Sequence, residues 1–215
     1  MLCKLYASVV NFLRRIHILR RYPKKISKKA IQHLPLRSYD GEIVFVDNIP
    51  LAQQSVEEIS QETLIGLDTE SKPAFSKGEK YLPSVVQIAT SKKVYIFQLN
   101  KIEQLRYLKS IFENNQITKV GIAIRDDVLK LRDIESFSPA GFQEISDYTK
   151  KLGIEQTGLR NLSAIFLKCR ISKFSQVTDW SKEHLSSRQL TYAATDAWIS
   201  RLLYIEVLTQ ANSKA

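Results

Sequence analysis

Leu64-Ile65-Gly66-Leu67-Asp68-Thr69-Glu70 (LIGLDTE) is an apolar run that ends on two carboxylates. The run reads as a buried strand, and residues two apart on a strand share a face. Asp68 and Glu70 therefore point the same way and Thr69 the other. Carboxylates at the end of a buried strand are costly to desolvate, so they protonate, pair or hold cations. Two later stretches repeat the pattern. Residues 119–131, KVGIAIRDDVLKL, place Asp126 and Asp127 just after a second apolar run. Residues 190–198, LTYAATDAW, put Tyr192 four residues before Asp196 in a helix-like stretch, so the two share a helix face. The distant pairs meet only if this last helix packs beside the strand that carries Asp68.

Working outward, residues 42–48 (EIVFVDN) read as a strand and residues 55–61 (SVEEISQ) as a helix leading into LIGLDTE. VVQIAT at 85–90 and VYIFQL at 94–99 are β-rich runs separated only by Ser91-Lys92-Lys93, a hairpin signal. The spacing of Ile102, Leu105, Leu108, Ile111 and Phe112 predicts one helix over 101–115. KVGIAI reads as a strand, DDVLKLRDI as a helix opened by acids in its first turn, and 145–167 as short helices. The last helix is expected over Ser187–Leu208. Three early strands followed by alternating helix and strand make an α/β layered domain with a mixed sheet.

The charge is unevenly spread. Residues 1–38 hold ten Lys or Arg and no acid, and the remainder holds 22 basic and 22 acidic residues, so the net charge of +10 lies in an N-terminal arm. Within it, Leu2, Leu5, Val9, Phe12, Ile16 and Leu19 follow helical spacing, and Pro23 is expected to end that helix. This marks a boundary near Ser38–Gly41, dividing the chain into an arm at 1–40 and a domain at 41–211. The arm reads as a basic tether for phosphate backbones, an amphipathic helix docked on the body, or an organelle presequence. Cys3 and Cys169 are too few for a disulfide framework or a zinc site, which favours a reducing compartment. No apolar run approaches the roughly 18 residues of a membrane span. No phosphate-loop or dinucleotide glycine motif occurs, so no nucleotide cofactor is expected. The reading is an intracellular, cytoplasmic protein with no membrane partner, organelle targeting through the arm being the alternative.

Four carboxylates without Cys or His beside them form an all-oxygen set suited to Mg²⁺ or Mn²⁺, and two such ions can clamp the attacking and leaving oxygens of a phosphodiester. D-x-E, then G-x-x-x-x-x-D from Gly121, then Y-x-x-x-D in YAATDA resembles the DEDD-type 3′→5′ exonucleases, tyrosine subclass. That group includes ribonuclease D, the Werner-syndrome exonuclease domain and polymerase proofreading domains. DTESKPAF after the first motif, Gln87 in SVVQIAT and KFSQVTDWSKEHLSSRQ before the third support the likeness, which covers roughly 42–210. The resemblance implies a ribonuclease H-like three-layer fold and a two-metal reaction on the 3′ end of DNA or RNA. It implies that Asp68 bridges both metals, that Glu70 and Asp196 complete the first site, and that Asp127 holds the second ion through water. It implies too that Tyr192 orients the attacking water. The family spacing from Gly121 selects Asp127, leaving Asp126 as a helix-start acid. The histidine subclass would want His where Thr191 stands, and His17, His33 and His184 fit no motif.

Other residues have two readings. Phe75 and Tyr81 are candidates to stack on a terminal base or to pack in the core. Trp180 reads as structural, and Cys169 as a plain buried thiol. Lys173 and Arg188 read either as phosphate contacts or as solvated surface cations. A non-catalytic nucleic-acid-binding module would be expected to have lost a metal carboxylate, and none is missing. A small-molecule phosphohydrolase would show a cap segment or a D-x-D start. Only about nineteen residues follow Asp196, so no appended helical domain of the ribonuclease D kind is expected.

Overall fold

A computed structural model describes residues 22–76 and 78–212. The expected helix over Leu2–Leu19 lies outside them. In chain order the elements are α1 (Lys28–Gln32), β1 (Ile43–Val46), α2 (Ile49–Ile59), β2 (Leu64–Ser71), β3 (Pro83–Ala89) and β4 (Val94–Gln98). A 3₁₀ turn at Leu99–Lys101 leads to α3 (Lys109–Glu113), β5 (Thr118–Gly121), α4 (Ile124–Ile134) and β6 (Phe142–Glu144). The chain continues through α5 (Ile145–Lys151), α6 (Leu159–Phe166) and α7 (Ser187–Asn212).

The strands form one mixed sheet in the order β1-β4-β3-β2-β5-β6. β3 runs antiparallel to both neighbours, whereas β1–β4, β2–β5 and β5–β6 are parallel. Strand alternation sorts the side chains into two layers of core. Ile65 and Leu67 of β2, Val86 and Ile88 of β3, and Tyr95 and Phe97 of β4 pack with α2, α3 and α4. Val85, Ala89, Val94 and Ile96 face the opposite way, onto Ala193, Ala194 and Ala197 of α7. Farther along that face, α5, α6 and the second half of α7 close over Val120. The result is a ribonuclease H-like three-layer domain.

One glycine decides how closely α7 approaches. A Cβ at Gly66 would lie 2.0 Å from the Ala197 carbonyl oxygen and 2.9 Å from the Arg201 nitrogen. The helix lies almost on the backbone of β2, aided by the small side chains of Ala193, Ala194 and Ala197. Arg201 Nε also donates to the Leu64 carbonyl at 3.2 Å.

Two expectations need correcting. Residues 101–115 are not one helix: Glu103 and Gln104 have φ of 54° and 58°, and only Lys109–Glu113 is α-helical. The Leu99 carbonyl accepts from Ile102 and Gln104, closing a tight turn. The apolar positions are the buried ones, as their spacing predicts: Ile102, Leu105, Leu108, Ile111 and Phe112 all lie in the core, and burying that set beneath the sheet overrides helical continuity. The strand β6 was also missed, being only three residues long. It follows Gly141 at φ +67°, where a Cβ would meet the Ile117 carbonyl at 2.4 Å.

Residues 22–40 pack on the body, and the packing continues across Ser38–Gly41. Ile31 is 2% exposed. The Tyr22 ring lies 4.3 Å from that of Phe166, and its hydroxyl donates to Glu206 at 2.9 Å. Ile26 N donates to Gln156 Oε1, and Lys25 pairs with Glu155 at 2.7 Å. Leu36 bridges to Arg170 in strand fashion, and Tyr39 N donates to Thr195 of α7.

Gly66→Ala is expected to cost about 1–3 kcal/mol of stability or more, because the obstacles are backbone atoms that cannot step aside. Gly158→Ala, where a Cβ meets nothing within 4 Å, should cost less, about 0.5–1 kcal/mol, for exchanging the N-cap glycine of α6. Urea denaturation of the two variants measures this. Equal stability would mean that α7 does not rest on Gly66.

Candidate active site

The face of β2 that carries Leu64 and Gly66 continues as Asp68 and Glu70, so the glycine that admits α7 directly precedes the acids. α7 answers with Tyr192 and Asp196 one turn apart. Oxygens of Asp68, Glu70 and Asp196 all lie within 4.8 Å of one another. Thr69 points to the other face, where its hydroxyl donates to Asp127 Oδ1 at 2.7 Å. Asp127 thus stands at the edge of the cluster, outside the close group of three but near enough to raise the pKa of Asp68 and Glu70. Asp126 is exposed and Asp127 is 9% exposed, so the geometry turns Asp127 rather than Asp126 toward the cluster.

The aim of α4 has a cause that the sequence reading missed. Glu144, at the end of β6, accepts from Ile124 N through one oxygen and from Ser146 N through the other, both at 3.0 Å. A single buried carboxylate caps α4 and α5 at once and fixes both to the sheet. The available signal was an acid directly before a helical stretch, at Glu144-Ile145-Ser146.

Electrostatics follow from this crowding. Burial, then the charges of Asp127, Asp196 and Glu70, hold the Asp68 carboxyl well above the usual range. Burial foremost, with Asp196 and Asp127, pushes Glu70 up to about 9 against the pull of Lys130. Burial also raises Asp196 to about 7 and Asp127 to about 6, opposed respectively by the Tyr192 hydroxyl and Lys173 and by Thr69 and Lys130. The Tyr192 hydroxyl is itself pushed far up by burial and by Asp196, Glu70 and Asp68. It is a proton donor at neutral pH. Asp196 Oδ1 is buried without a hydrogen-bond partner, and no Lys or Arg forms an ion pair with the three clustered acids among the described residues. Oxygen donors in excess of protons and partners fit divalent cations.

The cluster opens into a cleft of about 460 Å³ lined by Asp68, Glu70, Tyr192 and Asp196, with Lys173 on its wall. An adjoining groove of about 380 Å³ shares Ser172 and Tyr192 with it and is lined by Phe174 and Arg188. Phe75 is 82% exposed and Tyr81 36%, which rules out core packing for Phe75. Trp180 is fully buried, 6.1 Å from the Tyr192 ring, as a structural residue would be. Cys169 is buried. Gln87, cross-strand partner of Asp68, is fully buried, and both its amide atoms lack a partner among the described residues. No helix among the described residues is long and apolar enough to cross a membrane.

A ribonuclease H-like sheet bearing an acidic cluster where its central strand meets the last helix defines a class of phosphodiester-cleaving domains. Residues 43–210, more than three quarters of the chain, match a family model described as 3′-5′ exonuclease. The chain belongs to that family. It is 29% identical over 177 residues to protein R431 of Acanthamoeba polyphaga mimivirus, covering 75% of this chain and 43% of that one. It is 28% identical over 190 residues to the bifunctional 3′-5′ exonuclease/ATP-dependent helicase WRN of Mus musculus, covering 83% of this chain and 14% of that protein. The chain thus spans less than half the length of either relative. Its fold matches the Aedes aegypti Nibbler EXO domain with a TM-score of 0.73 at 20% identity, over 82% of this chain and 93% of that domain.

The raised carboxyls carry a pH signature. The folded state keeps protons on Asp127, Asp196 and Glu70 to about 6, 7 and 9, whereas the unfolded chain releases them near the ordinary value of about 4. Folded protein therefore binds more protons, and stability falls as pH rises across this range. Lys119, pushed down to about 8 by burial, acts in the opposite sense only above that pH. In EDTA the melting temperature should drop between about pH 5 and 7.5, and Asp196→Asn should flatten the curve. A flat wild-type curve would contradict the desolvated cluster.

Proposed function

We propose that this protein removes nucleotides from the 3′ end of a DNA or RNA strand with two divalent cations, Mg²⁺ or Mn²⁺. The supporting observation is the group of Asp68, Glu70 and Asp196 beside Tyr192, in a domain that belongs to the 3′-5′ exonuclease family. Asp68, Glu70 and Asp196 would hold one cation, with Asp68 shared toward a second on the side of Asp127. Bound there, the cations would supply a nucleophilic water at neutral pH and charge neutralisation at the leaving oxygen.

The rest falls to the chain's own groups. Tyr192 stays protonated at neutral pH, so it is not available as a general base and keeps a proton to donate in orienting water. Its position one turn from Asp196 lets it fix the direction of the attacking water relative to the scissile bond. Asp127, held by the Thr69 hydroxyl, keeps one oxygen fixed and the other available. The cleft at about 460 Å³ is of the size that takes a small ligand, roughly 300–1,000 Å³, which suits a strand end better than a continuous duplex.

Asp68→Asn or EDTA should abolish release of 3′ nucleotides from an end-labelled strand, and added Mn²⁺ should restore the EDTA-treated protein. A 3′-terminal phosphate should slow digestion far more than a 5′ block. Cleavage by Asp68→Asn at the wild-type rate would sink the metal reading, and the reverse blocking pattern would sink the polarity. Tyr192→Phe should lower kcat by about 10²-fold, in line with loss of a preorganised donor, while KM changes little. Normal turnover would reduce Tyr192 to a packing residue.

A further inference from the structure

The cleft has a wall that the acids do not explain. Lys28 and Ile31 of α1 line the same cavity as Asp68, Glu70 and Asp196, and so does Arg160 in the first turn of α6. Lys28 is exposed and makes no ion pair among the described residues. The Arg160 Nε is buried without a hydrogen-bond partner among the described residues. Two cations from separate elements therefore line a cleft that also holds the acids, and neither pairs with a carboxylate among the described residues. An exposed lysine is ordinarily just solvated, but α1 is not loosely placed. It is capped at its start by the Ser27 side chain and anchored to the body by buried Ile31 and by the contacts of residues 22–26 with Glu155, Gln156 and Glu206. The same segment reaches the adjoining groove through Arg37, which lies 4.6 Å over the Trp198 ring. All of it lies before the family match, which begins at residue 43.

We propose that residues 22–38 form one bank of the substrate groove, with Lys28 and Arg160 binding a phosphodiester upstream of the scissile bond. The inference rests on the exonuclease reading and adds a source of affinity to it. The cations that neutralise the scissile phosphate leave the next phosphates facing a cluster of acids, and the body outside residues 1–38 is neutral by count. Lys28 and Arg160 supply the missing positive charge where the strand enters. In this account they are positioning residues, and the basic segment is a built part of the site rather than a free tether or a removable leader.

The test is a cycle between side chain and phosphate. Neutral methylphosphonates replace the linkages of a short labelled single strand one at a time from the 3′ end. Affinity is measured by anisotropy in EDTA and KM and kcat with Mn²⁺, for the full chain and for Lys28→Ala, Lys28→Arg and Arg160→Ala. Lys28→Ala and Arg160→Ala should each weaken Kd and KM about tenfold, the loss of one charged hydrogen bond, with kcat and melting temperature held. Lys28→Arg should restore most of it. The slope of log K against log salt should fall by about 0.7. At one linkage the methylphosphonate should cost the wild type about the same tenfold and cost Lys28→Ala nothing further. Additive losses at every linkage, or an unchanged Kd and salt slope in Lys28→Ala, would overturn the proposal. If the wild type binds the strand with this pattern yet never cuts it in Mn²⁺, the exonuclease reading fails while the phosphate contact stands.

Discussion

The contact between Gly66 and the backbone of α7 is the constraint on which the site depends. Carboxylates in a desolvated space resist ionising: burial foremost, and for Asp68 and Glu70 the neighbouring acids as well, raise their pKa values. Asp68 and Glu70 on one element and Asp196 on another stay together only because the strand and helix bearing them are locked at a distance that one methyl group would violate. The small side chains of Ala193, Ala194 and Ala197 extend the lock toward β3 and β4. The site is thus an energetic liability sustained by the packing around it, the usual relation between a functional centre and its scaffold.

A second set of contacts aims the remaining acid. Ala123 takes a left-handed conformation at φ 59° to turn the chain from β5 into α4, and Glu144 then caps α4 from the neighbouring strand. This fixes the first helical turn, so that Asp127 meets Thr69 across the edge of β2. Lys119 serves the same end of the sheet. Its fully buried ammonium donates to the carbonyls of Asn114 and Ile117 at 2.6 and 2.8 Å and lies 5.1 Å from the Phe142 ring. A buried lysine with no carboxylate partner among the described residues costs stability; its hydrogen bonds hold the turn into β5, and its contact with Phe142 reaches the short strand β6 that carries Glu144.

Much of this was legible in the sequence because it is local. The period-two spacing of Asp68 and Glu70, the helical spacing of Tyr192 and Asp196, and the order of strands and helices follow from backbone geometry that each segment carries by itself. The buried face of 101–115 was legible for the same reason, while its backbone was not: apolar spacing reports what is buried, and the path of the chain beneath the sheet decides how.

Sequence alone determined which residues could act together: the acids, the tyrosine and the elements bearing them. Tertiary structure alone decided that they meet. The approach of α7 over Gly66, the capping of two helices by Glu144, and the lining of one cleft by Lys28 and Arg160 all bring together residues many positions apart. Such meetings depend on the packing of whole elements, which no local pattern encodes. The basic segment shows the difference most clearly. Its charge was plain from composition, but the place of Lys28 on the wall of the cleft follows from the burial of Ile31 and the packing of α1 against the body.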